Sequence, residues 1–152
     1  SFEKIPLWNE LPYYSKQIKV VMRNAGITNP DSIDEYIAAG GYRSLFKVLK
    51  KMTPDDVIRE ISDAGLRGRG GAGFPTGIKW RNTQKEKAET KYLICNADEG
   101  DPGAYMNRNE MESDPHMILE GMITGAYAVG AKTGFIYIRA EYPLAIERLQ
   151  RA

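Results

Sequence analysis

The chain has 152 residues, of which 42% are hydrophobic and 27% charged, and this is the size and composition of one ordinary globular domain. Twenty-one basic residues against twenty acidic ones leave a net charge of +1. A charge this balanced gives no general electrostatic basis for binding nucleic acid or an anionic membrane surface. We therefore expect no nucleic-acid partner, and binding must depend on local features.

Cysteine content and hydropathy indicate the cellular compartment. The single cysteine, Cys95, excludes an intrachain disulfide and a multi-cysteine zinc or iron-sulfur site within this chain, and it fits a reducing compartment. No stretch has the basic-then-apolar order of a signal peptide, and the most apolar stretch, residues 117 to 131, is too short to span a bilayer. We expect a cytoplasmic protein, at most peripheral to a membrane complex, without direct membrane insertion.

The first third of the chain predicts a helical lead-in over residues 1 to 52. Apolar residues at helical spacing indicate helices at residues 18 to 25, after a turn at residues 29 to 32, and at residues 45 to 49. A further helix is expected to begin at Thr53, because Thr53, Pro54 and Asp56 have the spacing of a capping box with proline in the first turn.

The remaining residues, 53 to 152, alternate between helix and strand patterns. Short apolar runs at residues 92 to 97 and 134 to 139 are typical of buried strands. Between them, Asp114 predicts the N-cap of an apolar helix in which Gly121 and Gly125 permit close packing against the sheet, and another helix follows from residue 144. This alternation predicts an α/β fold with a largely parallel sheet and flanking helices.

A glycine-rich loop at residues 65 to 77 is the most informative segment, with six glycines and two arginines among its residues. Because fixing glycine costs much conformational entropy, such a run indicates positive φ or close approach of the backbone to a bound group. Successive main-chain N–H groups can form a nest for anions, and Arg67, Arg69 and Lys79 add positive charge. The sequence therefore predicts a phosphate cradle for a nucleotide or a flavin.

Other interpretations of this loop fit the residues less well. Flexible linkers are rich in Gly and Ser and lack the Phe-Pro-Thr-Gly-Ile-Lys-Trp continuation found here. Gly68, Gly70 and Gly73 match G-x-G-x-x-G, but that motif follows a strand, whereas a helical pattern precedes this loop. A Walker loop requires Lys-Ser or Lys-Thr directly after a glycine, which the loop lacks.

Polar residues also gather after the first predicted strand. They are Asn96, Asp98, Glu99 and Asp101. Ligands of open α/β sheets bind beyond the carboxyl ends of the strands, where carboxylates can accept hydrogen bonds from ribose or ribityl hydroxyls. Taken alone, the same acids are also compatible with a magnesium site or a solvated turn.

Three motifs in chain order resemble one family: the glycine-rich loop continuing to Lys79 and Trp80, Cys-Asn-Ala-Asp-Glu at residues 95 to 99, and Glu-Ser-Asp-Pro-His at residues 112 to 116. The chain resembles the flavin-carrying, NADH-oxidising subunit of respiratory complex I and its relatives in NAD-linked hydrogenases and formate dehydrogenases. The resemblance covers roughly residues 53 to 152. It implies the N-terminal part of a Rossmann-like FMN-binding domain, continuing beyond this chain, with FMN as cofactor and NADH as hydride donor.

The resemblance implies cofactor contacts and no catalytic side chain. The contacting positions are Gly68, Arg69, Gly70, Gly71, Phe74, Lys79, Asn96, Asp98, Glu99 and Asp101. Phe74 would stack on adenine, while Lys79 and Glu99 would position the flavin. Asn82 stands where respiratory relatives have a second aromatic residue, so the resemblance does not extend to a two-sided adenine sandwich.

Hydride transfer between NADH and FMN requires the two rings to be held face to face, which is a positioning task. Lys79 and the loop amides would stabilise the negative charge that the flavin gains. The resemblance also implies iron-sulfur clusters in a missing region or in partner subunits, including a thioredoxin-like iron-sulfur subunit, because one cysteine cannot hold a cluster. The alternative is a non-catalytic nucleotide-binding or assembly module that keeps the loop.

Two single residues are expected to have structural roles. His116, the only histidine, is expected to be exposed or to cap its helix rather than bind a metal, because no partner ligands accompany it. Cys95 is expected to be a small buried hydrophobe rather than a reactive thiol. The sequence therefore predicts no metal site in this chain.

Overall fold

A computed structural model describes residues 5 to 152, without the side chain of Trp8. The first four residues of the expected lead-in lie outside the described residues. The elements, in chain order, are a 3-10 turn Trp8–Glu10, α1 Pro12–Ser15, α2 Ile33–Ala38, α3 Arg43–Lys51, α4 Pro54–Asp63, α5 Thr76–Lys85, β1 Tyr92–Asn96, α6 Met106–Ser113, α7 Pro115–Val129, β2 Thr133–Tyr137 and α8 Pro143–Arg151.

The two strands form a parallel pair, with Tyr92 opposite Thr133 and Asn96 opposite Tyr137. Parallel strands cannot be joined by a tight hairpin, and here α6 and α7 form the crossover from β1 to β2. Helix α7 packs against both strands. The predicted α/β fold with parallel strands and flanking helices is confirmed.

Apolar side chains form two buried clusters beside α7. One cluster joins α3, α4 and α7 through Val48, Val57, Ile58 and Ala128. The other joins the sheet to α6 and α8 and consists of Ala97, Met111, Tyr142 and Ala145, with Cys95 and Ile136 among the side chains packed against it. Together they fix the sheet and α4 relative to one another through α7.

The two glycines of α7 have different roles. A Cβ at Gly125 would lie 3.1 Å from Trp80 Cζ2 and 3.5 Å from Leu93 Cδ1, so this glycine does permit close packing of α7 on α5 and β1. A Cβ at Gly121 would meet nothing within 4 Å, and this residue is exposed. The prediction of close packing is correct for Gly125 and wrong for Gly121.

Side chains cap the first turns of α2 and α4. The Ser32 side chain accepts from the Glu35 amide at the start of α2. Thr53 and Asp56 form the predicted capping box of α4, in which these hydrogen bonds lower the pKa of Asp56 to about 2.

The predicted helix at residues 18 to 25 is wrong, because the chain there forms successive turns. Ile18 is 94% and Val21 44% exposed, so the predicted apolar stripe does not form a buried face, and a short helix without one is unstable. Asn24 is instead buried, and its amide donates to Asp114 Oδ2 at 2.7 Å. A polar contact with the N-terminus of α7 therefore holds this segment.

The lead-in is anchored on α7 by Glu120. Its carboxylate accepts from the Tyr36 hydroxyl at 2.6 Å, the Tyr42 amide at 2.9 Å and the Leu45 amide at 3.1 Å. Burial and the nearby Glu120 carboxylate raise the pKa of the Tyr36 hydroxyl, which therefore remains a donor at neutral pH.

His116 belongs to the same contact, and the expectation that it is exposed or a helix cap is wrong. It is only 4% exposed, its ring stacks on Tyr36 with centroids 5.4 Å apart, and its Nδ1 lies 3.0 Å from the Tyr42 hydroxyl. Asp114 caps α7 instead, accepting from the Met117 amide. Burial lowers the pKa of His116, which favours the neutral ring.

The sheet is covered on one face only. Leu93 and Cys95 point toward the helices, whereas Tyr92, Ile94, Phe135 and Tyr137 are each more than half exposed on the other face, which we call the open sheet face. The sequence predicted strands buried on both faces, and within the described residues this is wrong for the open sheet face.

The described residues meet neither the requirements for a membrane-spanning helix nor those for a metal site. None of its helices is both long and apolar enough to cross a bilayer. None of its groups of His, Cys, Asp and Glu side chains has an arrangement that could hold a metal ion.

Candidate functional site

The stem of the glycine-rich loop is a closed hairpin between α4 and α5. The Gly68 amide donates to the Phe74 carbonyl at 2.9 Å, and Arg67 and Pro75 form an antiparallel bridge. The Arg67 guanidinium donates to the Gly73 carbonyl at 3.0 Å. Arg67 is therefore used to close the loop, while Arg69 has no hydrogen-bond or ion-pair partner among the described residues.

The loop tip consists of residues 69 to 73 and presents free amides. Within the described residues these five main-chain N–H groups donate to no protein acceptor. Gly71 and Gly73 have φ of +100° and +61°, a left-handed conformation that turns successive amides and favours glycine. Such an arrangement is suited to binding an anion.

Nothing inside the described chain requires Gly70 to be glycine, in contrast to Gly71 and Gly73 with their positive φ. Its φ is not positive, and a Cβ there would meet nothing within 4 Å. A Cβ at Gly68 would make only an ordinary contact, 3.6 Å from the Phe74 carbonyl oxygen. The open space at Gly70 leaves its backbone accessible to a bound group.

A cavity of about 480 Å³ opens beside this loop. It brings together Gly68, Phe74 and Lys79 with the first three residues of β1. Phe74 is half exposed, and its ring is free to stack on a planar ligand. Trp80 and Tyr92 also line the cavity, although sequence analysis assigned them no role.

Helix α5 carries Lys79 and begins directly after the loop. Its first turn is not capped by a side chain, because Pro75 occupies the N-cap position. The Thr76 amide donates to the Leu66 carbonyl at 2.9 Å, and the helix N-terminus adds partial positive charge where the loop ends. Lys79 is exposed and has no ion-pair partner among the described residues, so its ammonium group is free for a ligand.

The predicted residues at the end of β1 lie outside that cavity lining. Asn96, Asp98 and Asp101 are exposed, and the Asn96 side chain accepts from the Asp98 amide at 3.2 Å. The turn that carries Asp98 and Asp101 ends at α6.

Glu99 is half-buried and engaged within the protein. Its carboxylate accepts from the Asn107 amide at 3.0 Å and the Arg108 amide at 3.3 Å, so it stabilises the N-terminus of α6. The Tyr142 hydroxyl lies 3.3 Å from Glu99 Oε2, and Arg139 Nη1 donates to the Glu99 carbonyl at 2.5 Å. Glu110 lies on α6, and its pKa is raised mainly by burial and to a smaller extent by the charge of Glu99.

The sequence matches a known protein family. Residues 61–152, more than half of the chain, match the family described as Nuo51 FMN-binding domain. The chain belongs to this family.

Two curated relatives are much longer than this chain. The chain is 56% identical over 137 residues to the HndC subunit of the NADP-reducing hydrogenase of Solidesulfovibrio fructosivorans, covering 90% of this chain and 28% of that protein. It is 48% identical over 133 residues to an NADH-quinone oxidoreductase subunit of Rhizobium meliloti, covering 88% of this chain and 32% of that protein. The chain thus spans less than a third of the length of these relatives.

A solved structure agrees with this assignment. The crystal structure of an NAD+-reducing NiFe hydrogenase in its H2-reduced state matches with a TM-score of 0.67 and 34% identity, covering 88% of this chain and 21% of that chain. The identity is high enough to support relationship as well as fold. The family resemblance inferred from the three motifs is confirmed.

The FMN-binding domain contains one arrangement that sequence analysis missed. Arg139 and Tyr142 contact Glu99 although they lie about 40 residues away along the chain. Their only sequence signal was proximity to the carboxyl end of the second predicted strand, where ligand sites of α/β sheets gather.

Proposed function

We propose that this FMN-binding domain binds FMN and NADH and holds them for hydride transfer to the flavin. Free amides at residues 69 to 73, beside a cavity lined by Phe74 and Lys79, are the observation that carries this proposal. Bound FMN would supply the hydride acceptor. The protein supplies position and charge, and no side chain acts as a nucleophile.

The loop and α5 divide the binding task. The loop amides and Arg69 are suited to a phosphate group, because they are unpaired donors beside an uncapped helix N-terminus. Phe74 offers a ring face to adenine, and the free ammonium of Lys79 stabilises negative charge on a reduced flavin.

Residues at the end of β1 are suited to hydroxyl groups. Asn96, Asp98 and Asp101 present exposed oxygen acceptors, and Glu99 fixes the turn that carries the two aspartates. A strand rises about 3.3 Å per residue, so the five residues of β1 separate its two ends by about 13 Å. A ligand that reaches from the cavity to these acceptors would extend along β1.

We further propose that the chain is part of a longer cytoplasmic subunit. The chain covers only 28% and 32% of these relatives and has only one cysteine, so clusters that accept single electrons must lie elsewhere. A later region or a partner, including a thioredoxin-like iron-sulfur subunit, would provide them.

The experiment is anaerobic titration of the complete subunit. Bound flavin absorbance that NADH bleaches supports the proposal, whereas a colourless protein that does not take up added FMN contradicts it. NADPH is titrated in parallel, because the relative that is 56% identical is named as NADP-reducing. FMN uptake without bleaching by either nucleotide would favour the alternative, a non-catalytic nucleotide-binding or assembly module.

The chain alone provides a second measurement. We expect residues 1 to 152 with excess FMN to show little NADH:ferricyanide activity, because part of the cofactor wall is supplied by a later segment. Turnover within about tenfold of the complete subunit, a loss of only about 1.4 kcal/mol, would refute this two-segment arrangement.

A further inference from the structure

Arg139 joins the carboxyl ends of the two strands. It follows β2, and its Nη1 donates to the carbonyl of Glu99, which follows β1, at 2.5 Å. The rest of the guanidinium is also occupied, because Nε and Nη2 each lie 3.3 Å from the Glu141 carboxylate. Arg139 is therefore used to hold main chain rather than left free for a ligand.

Tyr142 supports this contact from the interior. Its side chain is part of a buried cluster and only 7% exposed. Two guanidinium groups lie over the ring, with Arg139 at 5.4 Å and Arg108 at 5.6 Å from its centroid, and Arg108 is held by Glu112 at 2.9 Å. The contact of Arg139 with this buried ring favours the orientation in which Arg139 reaches Glu99.

We propose that Arg139 and Tyr142 are positioning residues that fix the turn at residues 98 to 101 in its ligand-binding conformation. This inference rests on the proposed function, because FMN is the ligand whose binding it affects. One contact holds the Glu99 carbonyl, and the Tyr142 hydroxyl lies beside the Glu99 carboxylate, so main chain and side chain are fixed together. The exposed Asp98 and Asp101 carboxylates then keep a constant place relative to β1.

Lysine cannot replace Arg139 in this role. An ammonium group is a single point of charge, whereas the planar guanidinium here donates to Glu99, pairs with Glu141 and stacks on Tyr142 at once. A lysine would keep the charge but release the turn. Misplacing binding groups by about 1 Å can reduce function about a hundredfold, so even a small release is measurable.

The test uses the complete subunit stripped of FMN. FMN affinity is measured by quenching of flavin fluorescence, well below the melting temperature, together with hydrogen exchange of residues 98 to 105. We expect Arg139→Lys to weaken FMN binding at least about tenfold and to accelerate exchange in these residues. Glu141→Gln is the matched control, because it removes the ion pair but leaves the Glu99 contact, and it should stay within about twofold of wild type.

Wild-type affinity in a folded Arg139→Lys variant overturns the inference, even if that variant melts earlier. If Arg139→Lys does not fold, Tyr142→Phe decides, because it keeps the aromatic ring that both arginines contact and removes only the hydroxyl. The control is Tyr127→Phe, whose lost hydroxyl donates to the Met52 carbonyl at 2.7 Å and has no contact with Glu99. FMN affinity at least about threefold weaker in Tyr142→Phe than in this control supports the inference. An unchanged FMN affinity overturns it. If wild type binds no FMN, the proposed function fails, while unaltered exchange in both variants separately refutes fixing of the turn.

Discussion

Gly70→Val separates a ligand contact from a structural requirement. The φ of Gly70 is not positive and its Cβ position is open, so valine introduces neither backbone strain nor a clash inside the protein. Exposed substitutions of this kind change the free energy of unfolding by no more than about 0.5 kcal/mol. A flavin or nucleotide phosphate in contact with the backbone at this position would, however, collide with the new side chain.

The expected loss of affinity is large in comparison. Losing the close approach of one charge-assisted main-chain hydrogen bond costs about 1.5 to 3 kcal/mol, which corresponds to roughly 10- to 100-fold in the dissociation constant for FMN. Displacement of neighbouring amides would add to this. We therefore expect at least about tenfold weaker FMN binding with an unchanged unfolding transition.

The assay combines urea unfolding with fluorescence titration of FMN in the complete subunit. Gly121→Val is the matched control, since Gly121 is also exposed and has no neighbour within 4 Å of its Cβ position, but lies on α7 away from the loop. Gly71→Val is a weaker probe, because φ of +100° makes any side chain strained there. FMN affinity within about twofold of wild type in Gly70→Val would show that the loop tip does not contact the ligand.

Three further predictions concern the cavity and the lead-in. Phe74→Ala should mainly weaken NADH binding, measured by nucleotide titration. Lys79→Ala should mainly lower flavin occupancy or the flavin reduction potential, measured by potentiometry. Equal loss of NADH binding and of the flavin properties in both variants would contradict this division. Glu120→Ala should destabilise the protein by roughly 3 kcal/mol in urea unfolding, because it leaves two amides and a tyrosine hydroxyl without their acceptor, and a change below about 1 kcal/mol would show that water replaces the carboxylate. For His116, burial lowers the native pKa, so the unfolded state binds more protons between that value and about 6.5. Stability should therefore be complete above about pH 6.5 and fall as the pH decreases, by up to about 1.4 kcal/mol per pH unit, and a His116→Asn variant with the same pH dependence in urea unfolding would refute this.

Elements with local signals could be predicted from the sequence. Helix α4 has a capping box at Thr53 and α7 has its cap at Asp114, and these signals depend only on residues within the first turn. The parallel pairing of β1 and β2 followed from alternation of helix and strand. Helix α5 was missed because its apolar residues do not form a clear stripe.

Features that depend on distant partners could not be predicted. Ile18 and Val21 belong to an apolar pattern with helical spacing, yet both are exposed in the described chain, and the helix does not form. His116 looked like an exposed residue of a first turn, but Tyr36 and Tyr42 from the lead-in bury it. For the candidate site, the sequence identified the loop, Phe74 and Lys79, whereas the contacts of Glu99 with Arg139 and Tyr142 required the tertiary structure.

The open sheet face lies next to the candidate site. Parallel strands are normally covered on both faces, yet the face formed by Tyr92, Ile94, Phe135 and Tyr137 is exposed in the described chain. Tyr92 and Ile94 also line the cavity beside the glycine-rich loop. A later segment of the subunit that packs on this face would therefore cover the sheet and close one side of the cavity at the same time. Cofactor affinity and stability of the fold should consequently rise together when that segment is present, because the same apolar side chains contribute to both.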